Sequence, residues 1–199
     1  MTLEEMLAKT GQRQESFQIM IDYLKTLTDP LIIETGCARP PHPEWGSEDV
    51  SFKDEGWSTR LFDAYVNEYN GEFYSVDITP AHVEFATSIV SDKTNVVCDD
   101  SVYFLYQASQ QLTESNEFVD LLYLDSFDFE PSDPHPSSVH HIKELTSIIS
   151  RLRPGSLIAV DDNFGKGAER TGKGMYVAEF MEAIGKPMIY EGYQLIWKF

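Results

Sequence analysis

Short apolar runs alternate along this chain with longer stretches in which apolar positions recur every three or four residues. The first pattern is that of strands buried on both faces, the second that of helices burying one face. Runs at Leu31-Ile32-Ile33, residues 72–77, Asn95-Val96-Val97-Cys98, residues 119–124 and Leu157-Ile158-Ala159-Val160 predict five strands. Between and before them, helices are expected at residues 2–9, 12–27, 79–90 and 101–112, and another that Gly56-Trp57-Ser58-Thr59 opens and that runs through Tyr69. A further helix runs from Ser138, with Val139, Ile142, Leu145, Ile148, Ile149 and Leu152 as its buried stripe, until Arg153-Pro154-Gly155 ends it. Ser58 or Thr59 is the expected cap of the helix that runs through Tyr69. A last helix ends near Ile184, and residues 188–190 and 193–199 form a closing antiparallel pair turned at Glu191-Gly192. Strands that alternate with helices imply a parallel α/β sheet with right-handed crossovers.

Strand after strand in this pattern ends in an acid: Glu34, Asp77, Asp100 just past the third, Asp125, and Asp161-Asp162. One such acid is ordinary capping of the next helix. Five at one edge of a sheet make an acidic rim, unfavourable unless cations or hydrogen-bond donors occupy it. Ribose hydroxyls, an adenine amine, an α-ammonium and a divalent metal would all serve. The first strand runs into Glu34-Thr35-Gly36-Cys37, where Gly36 permits a sharp turn at the sheet edge where ligands collect.

Composition narrows the reading. The 199 residues, 42% of them hydrophobic, suffice for a single domain over 1–199, with 1–28 as an N-terminal helical segment and 38–54 as a proline-rich inserted loop. A formal net charge of −18 weighs against a nucleic-acid partner. No apolar run is long enough for a membrane span, and the acidic N-terminus does not resemble a secretory signal. Cys37 and Cys98 read as buried, reduced thiols of a cytoplasmic protein.

From Leu31 to Phe199 the chain resembles the class I S-adenosylmethionine-dependent methyltransferases, and among them the metal-dependent O-methyltransferases of the catechol and macrocin types. Glu34-Thr35-Gly36-Cys37 resembles the first half of the family's first motif and Gly56-Trp57-Ser58-Thr59 the second, with an insertion between them. The resemblance implies a Rossmann-like, seven-stranded, mostly parallel sheet with helices on both faces and a C-terminal antiparallel β-hairpin. It implies that S-adenosylmethionine is bound by Glu34, Gly36, Ser58, Asp77, Asp100, Ser101 and Asp125, with Asp77 on the ribose diol. Arg39, Trp45 or Trp57 would cover the methionine part. Arg153-Pro154-Gly155-Ser156 is similar to the family's turn before the fifth strand. The resemblance further implies Mg2+ at Asp125, Asp161 and Asp162, where oxygen ligands suit a hard ion that acidifies and orients an acceptor hydroxyl. For the base, Asp128 stands where the catechol type has lysine. His135, His140 and His141 are alternatives to it. The implied partner is a small-molecule or sugar hydroxyl, and the resemblance also allows a homodimer.

Other readings stay open on the sequence. Gly167 to Gly174 approaches a phosphate-binding loop, but Gly174 replaces the hydroxyl that should hold magnesium. This glycine-rich segment reads better as a mobile flap over the acceptor, with Lys166, Arg170 or Lys173 available to an anionic group. A nicotinamide enzyme would also want Asp77, yet the first turn lacks the required glycine spacing. A methyltransferase-like module that binds without catalysing is the third alternative.

Overall fold

A computed structural model describes residues 1–40 and 57–199 of the chain. The inserted loop, Trp45 and Gly56 therefore lie outside the described residues, apart from the loop's first three positions, 38–40. Five strands run parallel: β1 (Leu31–Thr35), β2 (Glu72–Asp77), β3 (Thr94–Cys98), β4 (Val119–Leu124) and β5 (Leu152–Val160). Two more, β8 (Met188–Glu191) and β9 (Leu195–Lys198), add antiparallel pairings, giving one seven-stranded sheet of order β3-β2-β1-β4-β5-β9-β8. The order reverses between β1 and β4, the place in an open α/β sheet where a crevice forms beyond the strand ends.

Successive residues of the central strands face opposite sides, and each side builds its own core. Ile32, Leu121, Tyr123, Leu157 and Ala159 pack beneath α1 (Leu3–Leu7), α2 (Gln14–Leu24) and α3 (Ser58–Tyr69). Ile33, Leu122, Leu124, Ile158 and Val160 pack beneath α5 (Ser101–Ser115), α6 (His135–Ile148) and α7 (Met175–Ala183). The remaining helix, α4 (Pro80–Ile89), starts on proline, whose fixed φ suits a first turn. An aromatic group anchors the first layer, with Tyr123 stacked on Phe17 at 5.7 Å and met edge-on by Phe62 at 5.5 Å. Every residue of β4 is buried, as its unbroken apolar run predicts.

Several local expectations are corrected. Arg153-Pro154-Gly155 does not end a helix but lies inside β5, because Ser156 Oγ donates to Val119 O and the Arg153 guanidinium pairs with Asp120 at 2.6 Å, holding the segment on β4. α6 begins at His135, three residues before the expected start. The predicted helix at 12–27 opens as a 3-10 turn at Gly11–Arg13 and its helical part closes at Leu24. Neither Ser58 nor Thr59 caps α3; the cap position is Trp57, and Thr59 turns inward. Cys98 is exposed, since β3 is an edge strand, whereas Cys37 is buried. The glycine-rich segment forms a short hairpin of β6 (Asn163–Phe164) and β7 (Thr171–Gly172).

Glu34 ties this framework together from within and does not reach the cavity described below. Its Oε2 accepts from Ser75 Oγ on β2 at 2.5 Å and from Thr59 Oγ1 on α3 at 2.7 Å. Thr59 Oγ1 in turn accepts from Ala38 N, fixing the chain where it leaves the sheet. Full burial pushes the Glu34 carboxyl up to about 7, although the hydroxyl donors pull it the other way. The folded state therefore keeps a proton that the unfolded chain releases near 4.5. This contribution to stability is complete at low pH and is lost as pH rises toward 7, by up to about 3 kcal/mol. Glu34→Gln should remove that loss: the urea midpoint of the wild type should fall between pH 5 and pH 8 more than that of the variant. Parallel pH profiles would show that Glu34 is not the titrating group.

Candidate active site

A cavity of about 510 Å³ opens at the carboxyl ends of β1, β2, β3 and β4. It is lined by nine residues singled out in the sequence: Gly36, Arg39, Ser58, Asp77, Asp100, Ser101, Asp125, Asp128 and His140. Glu34, His141 and His135 stand away from it. Glu34 is enclosed behind β1, in the framework role above. His141 is also fully buried; its Nδ1 lies 2.7 Å from Ser137 O, and burial pushes its imidazole down to about 4. In that place the His141 ring does not reach the cavity. His135 is paired with Tyr176 at 2.5 Å and does not line the cavity.

At Gly36 the loop after β1 meets the loop after β4. The φ of Gly36 is +83°, and a Cβ there would stand 2.5 Å from Asp125 O. Only glycine lets the β1 and β4 loops touch at the switch point. On one wall, the Asp77 carboxylate accepts from Thr79 N at 2.8 Å and Cys37 N at 3.3 Å, with His82 Nδ1 at 3.3 Å. These partners come from the loop after β1 and the start of α4, and they orient the carboxylate while leaving lone pairs for further donors. Asp100 caps α5 by accepting from Tyr103 N, and beside it Ser101 Oγ lies 2.9 Å from His140 Nε2. His140 Nε2 also lies 3.3 Å from Glu144 Oε1, which accepts from Ser126 Oγ at 2.6 Å. This polar chain joins the loops after β3 and β4 through α6. At the mouth, Arg39 donates to both Asp128 oxygens at 3.0 Å, and Asp128 keeps 71% of its side chain exposed.

Deeper, the three aspartates expected to hold a metal do converge, with one oxygen from each of Asp125, Asp161 and Asp162 lying within 4.8 Å of the others. That donor set suits a hard cation. Two side chains the sequence reading left out of this cluster already neutralise much of it. Arg13, from the turn before α2, grips Asp161 through Nε at 3.0 Å and a terminal nitrogen at 2.8 Å, and Gln194 donates to the same carboxylate at 2.9 Å. Lys173, expected on a mobile flap, is 1% exposed and places Nζ 2.5 Å from Asp125 Oδ1 and 3.0 Å from Asp162 Oδ2. Tyr193 donates to the other Asp162 oxygen at 2.5 Å. Burial pushes the Asp125 carboxyl up against the pull of Lys173, and despite burial the three aspartates hold the lysine ammonium above its ordinary range. Arg170, the second flap cation, pairs with Glu191. No sequence signal joins residues 13 and 161. A lysine set between two glycines was the one visible hint of Lys173.

Neither a protein-family model nor any curated protein sequence matches the chain. Solved structures do. The MycE methyltransferase of mycinamycin biosynthesis, in complex with Mg, SAH and mycinamycin VI, aligns over 100% of this chain and 53% of its own, at a TM-score of 0.62 and 14% identity. This chain thus spans about half the length of MycE. The calicheamicin methyltransferase CalS11 aligns over 94% of this chain and 80% of its own, at a TM-score of 0.61 and 11% identity. A Clostridium thermocellum chain designated an rRNA methylase aligns over 92% and 95%, at 0.56 and 16%. At such identities the likeness is one of backbone architecture, and the architecture this chain has is the class I methyltransferase fold.

Proposed function

We propose that the chain is an S-adenosylmethionine-dependent O-methyltransferase that acts on a hydroxyl of a small molecule or sugar. The observation that carries this is the cavity at the switch point, with an oriented carboxylate, Asp77, on one wall and an exposed one, Asp128, at the mouth. The complexes of MycE with Mg and SAH, and with mycinamycin VI, support it by shared fold. The net charge of −18 supports a small acceptor over a polyanion, on a fold that an rRNA methylase designation shows is not itself selective.

When bound, the cofactor supplies an electrophilic methyl group on a sulfonium. Asp77 would accept from the vicinal ribose hydroxyls, and Ser101 with Asp100 would border the adenine. Gly36 and Ser58 would give the remainder of the cofactor close access to the main chain, with Asp125 across the crevice. Asp128 would take the proton of the acceptor hydroxyl, whose oxygen would receive the methyl group that the cofactor supplies. His140 holds Ser101 and the β3 loop in place. Mg2+, if taken up, would be held by Asp125 and Asp162, with Asp161 behind them, and would make the acceptor hydroxyl more acidic and orient it. Asp161 is the least available of the three, since Arg13 and Gln194 already use both of its oxygens.

Three outcomes are expected. In calorimetry the chain should bind S-adenosylmethionine but neither NAD nor ATP. Asp77→Asn should weaken that binding about tenfold to a hundredfold, the worth of hydrogen bonds to a charged acceptor. Unchanged affinity in the variant would remove Asp77 from the cofactor site. With an accepted substrate, Asp128→Asn should lower kcat by roughly two to four orders of magnitude and leave cofactor affinity as it was. A variant with full kcat would transfer the proton-accepting role elsewhere.

A further inference from the structure

We propose that Lys173 is a built-in occupant of the ion position, so that its ammonium and a divalent cation compete for Asp125 and Asp162. We rest its bearing on catalysis on the methyltransferase reading of the same edge. The competition itself follows from geometry and charge.

Lys173 Nζ is shared among Asp125 Oδ1, Asp125 O and Asp162 Oδ2, at 2.5, 3.2 and 3.0 Å. These are the oxygens that a small hard cation would need from the two residues facing each other across the β4 and β5 ends. The lysine is not free to swing away. Its own N–H donates to Asp162 O at 3.2 Å, and the preceding Gly172 carbonyl accepts from the buried Ser138 hydroxyl at 2.6 Å. Gly172 has φ +114°, and a Cβ there would lie 2.0 Å from Asp162 O. At Gly174, the next residue, a Cβ would lie 2.7 Å from the Leu195 side chain. The backbone on both sides of Lys173 is therefore pressed against β5 and its neighbours, and the aliphatic stem is buried with it. Withdrawing the ammonium takes the paired cation from Asp125 and leaves Asp162 with the Tyr193 hydroxyl and, at 3.6 Å, Arg13.

Charge points the same way. With all three carboxylates ionised, as a bound cation would hold them, the aspartates face two fixed cations, Arg13 and Lys173, leaving one net negative charge for an incoming ion. Without the lysine there are two, which matches a divalent cation, and the repulsion between that cation and the ammonium disappears. Arg13 serves the other side of the cluster: its guanidinium binds Asp161, lies 3.6 Å from Asp162 Oδ1 and covers the Tyr193 ring at 4.5 Å. Lys173 thus sets how strongly this site takes an ion.

The test is Mn2+ binding, followed by electron paramagnetic resonance on the full chain with no nucleoside or acceptor present. Lys173→Met should bind Mn2+ at least tenfold more tightly than the wild type, and the double variant Lys173→Met/Asp162→Asn should lose that gain. If Lys173→Met fails to fold, Lys173→Gln, which keeps a hydrogen-bond donor, should show the same direction. Equal affinity in wild type and lysine variant would overturn the proposal. So would low-micromolar Mn2+ binding by the wild type that Asp162→Asn abolishes, since the lysine would then be no obstacle. Cofactor calorimetry without metal is run alongside, so that a failure of the methyltransferase reading shows as lost nucleoside binding with the ion result intact.

Discussion

The structure depends on how it accommodates negative charge gathered at one edge of a sheet. Parallel strands deliver their last residues to the same border, and in this chain those residues are carboxylates. Carboxylates removed from water need cations or hydrogen-bond donors. The molecule meets that need in three ways. Glu34 is enclosed among hydroxyls and tends toward its neutral form. Asp161 and Asp162 are held by Arg13, Gln194, Tyr193 and Lys173. Asp77 and Asp128 remain at the cavity surface, where they keep acceptor capacity.

This sorting divides the border into a framework part and a chemical part. Glu34 joins β1, β2 and α3, so the floor of the crevice is fixed before anything binds. Gly36 lets the β1 and β4 loops meet, which brings Asp125 to the cavity while Asp77 occupies the opposite wall. The Ser101–His140–Glu144–Ser126 chain then locks the α6 side. The N-terminal segment also belongs to this arrangement: by carrying Arg13 to Asp161, the turn before α2 becomes part of the acidic edge and more than a cover for the sheet.

The likeness to MycE and CalS11 is one of strand order and helix placement at 11–14% identity, and it says nothing of individual side chains. The side chains of this chain carry the functional reading, and they also separate it from a simple copy of a metal site. A three-aspartate cluster with a buried ammonium between two of its members is a different electrostatic object from an open one, even where the carboxylates coincide.

The sequence by itself determined the strands, the helices and the acid at each strand end. These are local matters: the unbroken apolar run of 119–124 has no comfortable place except a doubly covered strand, and Gly36 has no equal where the backbone must turn against another loop. For the same reason nine of the positions singled out for cofactor or catalysis line one cavity. What only the tertiary structure decided were the partners of those acids. Arg13 meets Asp161 across 148 positions of chain and Lys173 meets Asp125 across 48, and which of His140 and His141 reaches the cavity depends on a rotation of α6 that the pattern of apolar residues leaves open. Charge pairing at such separations is set by packing, not by sequence proximity, so the pattern could place the acids but not say what neutralises them.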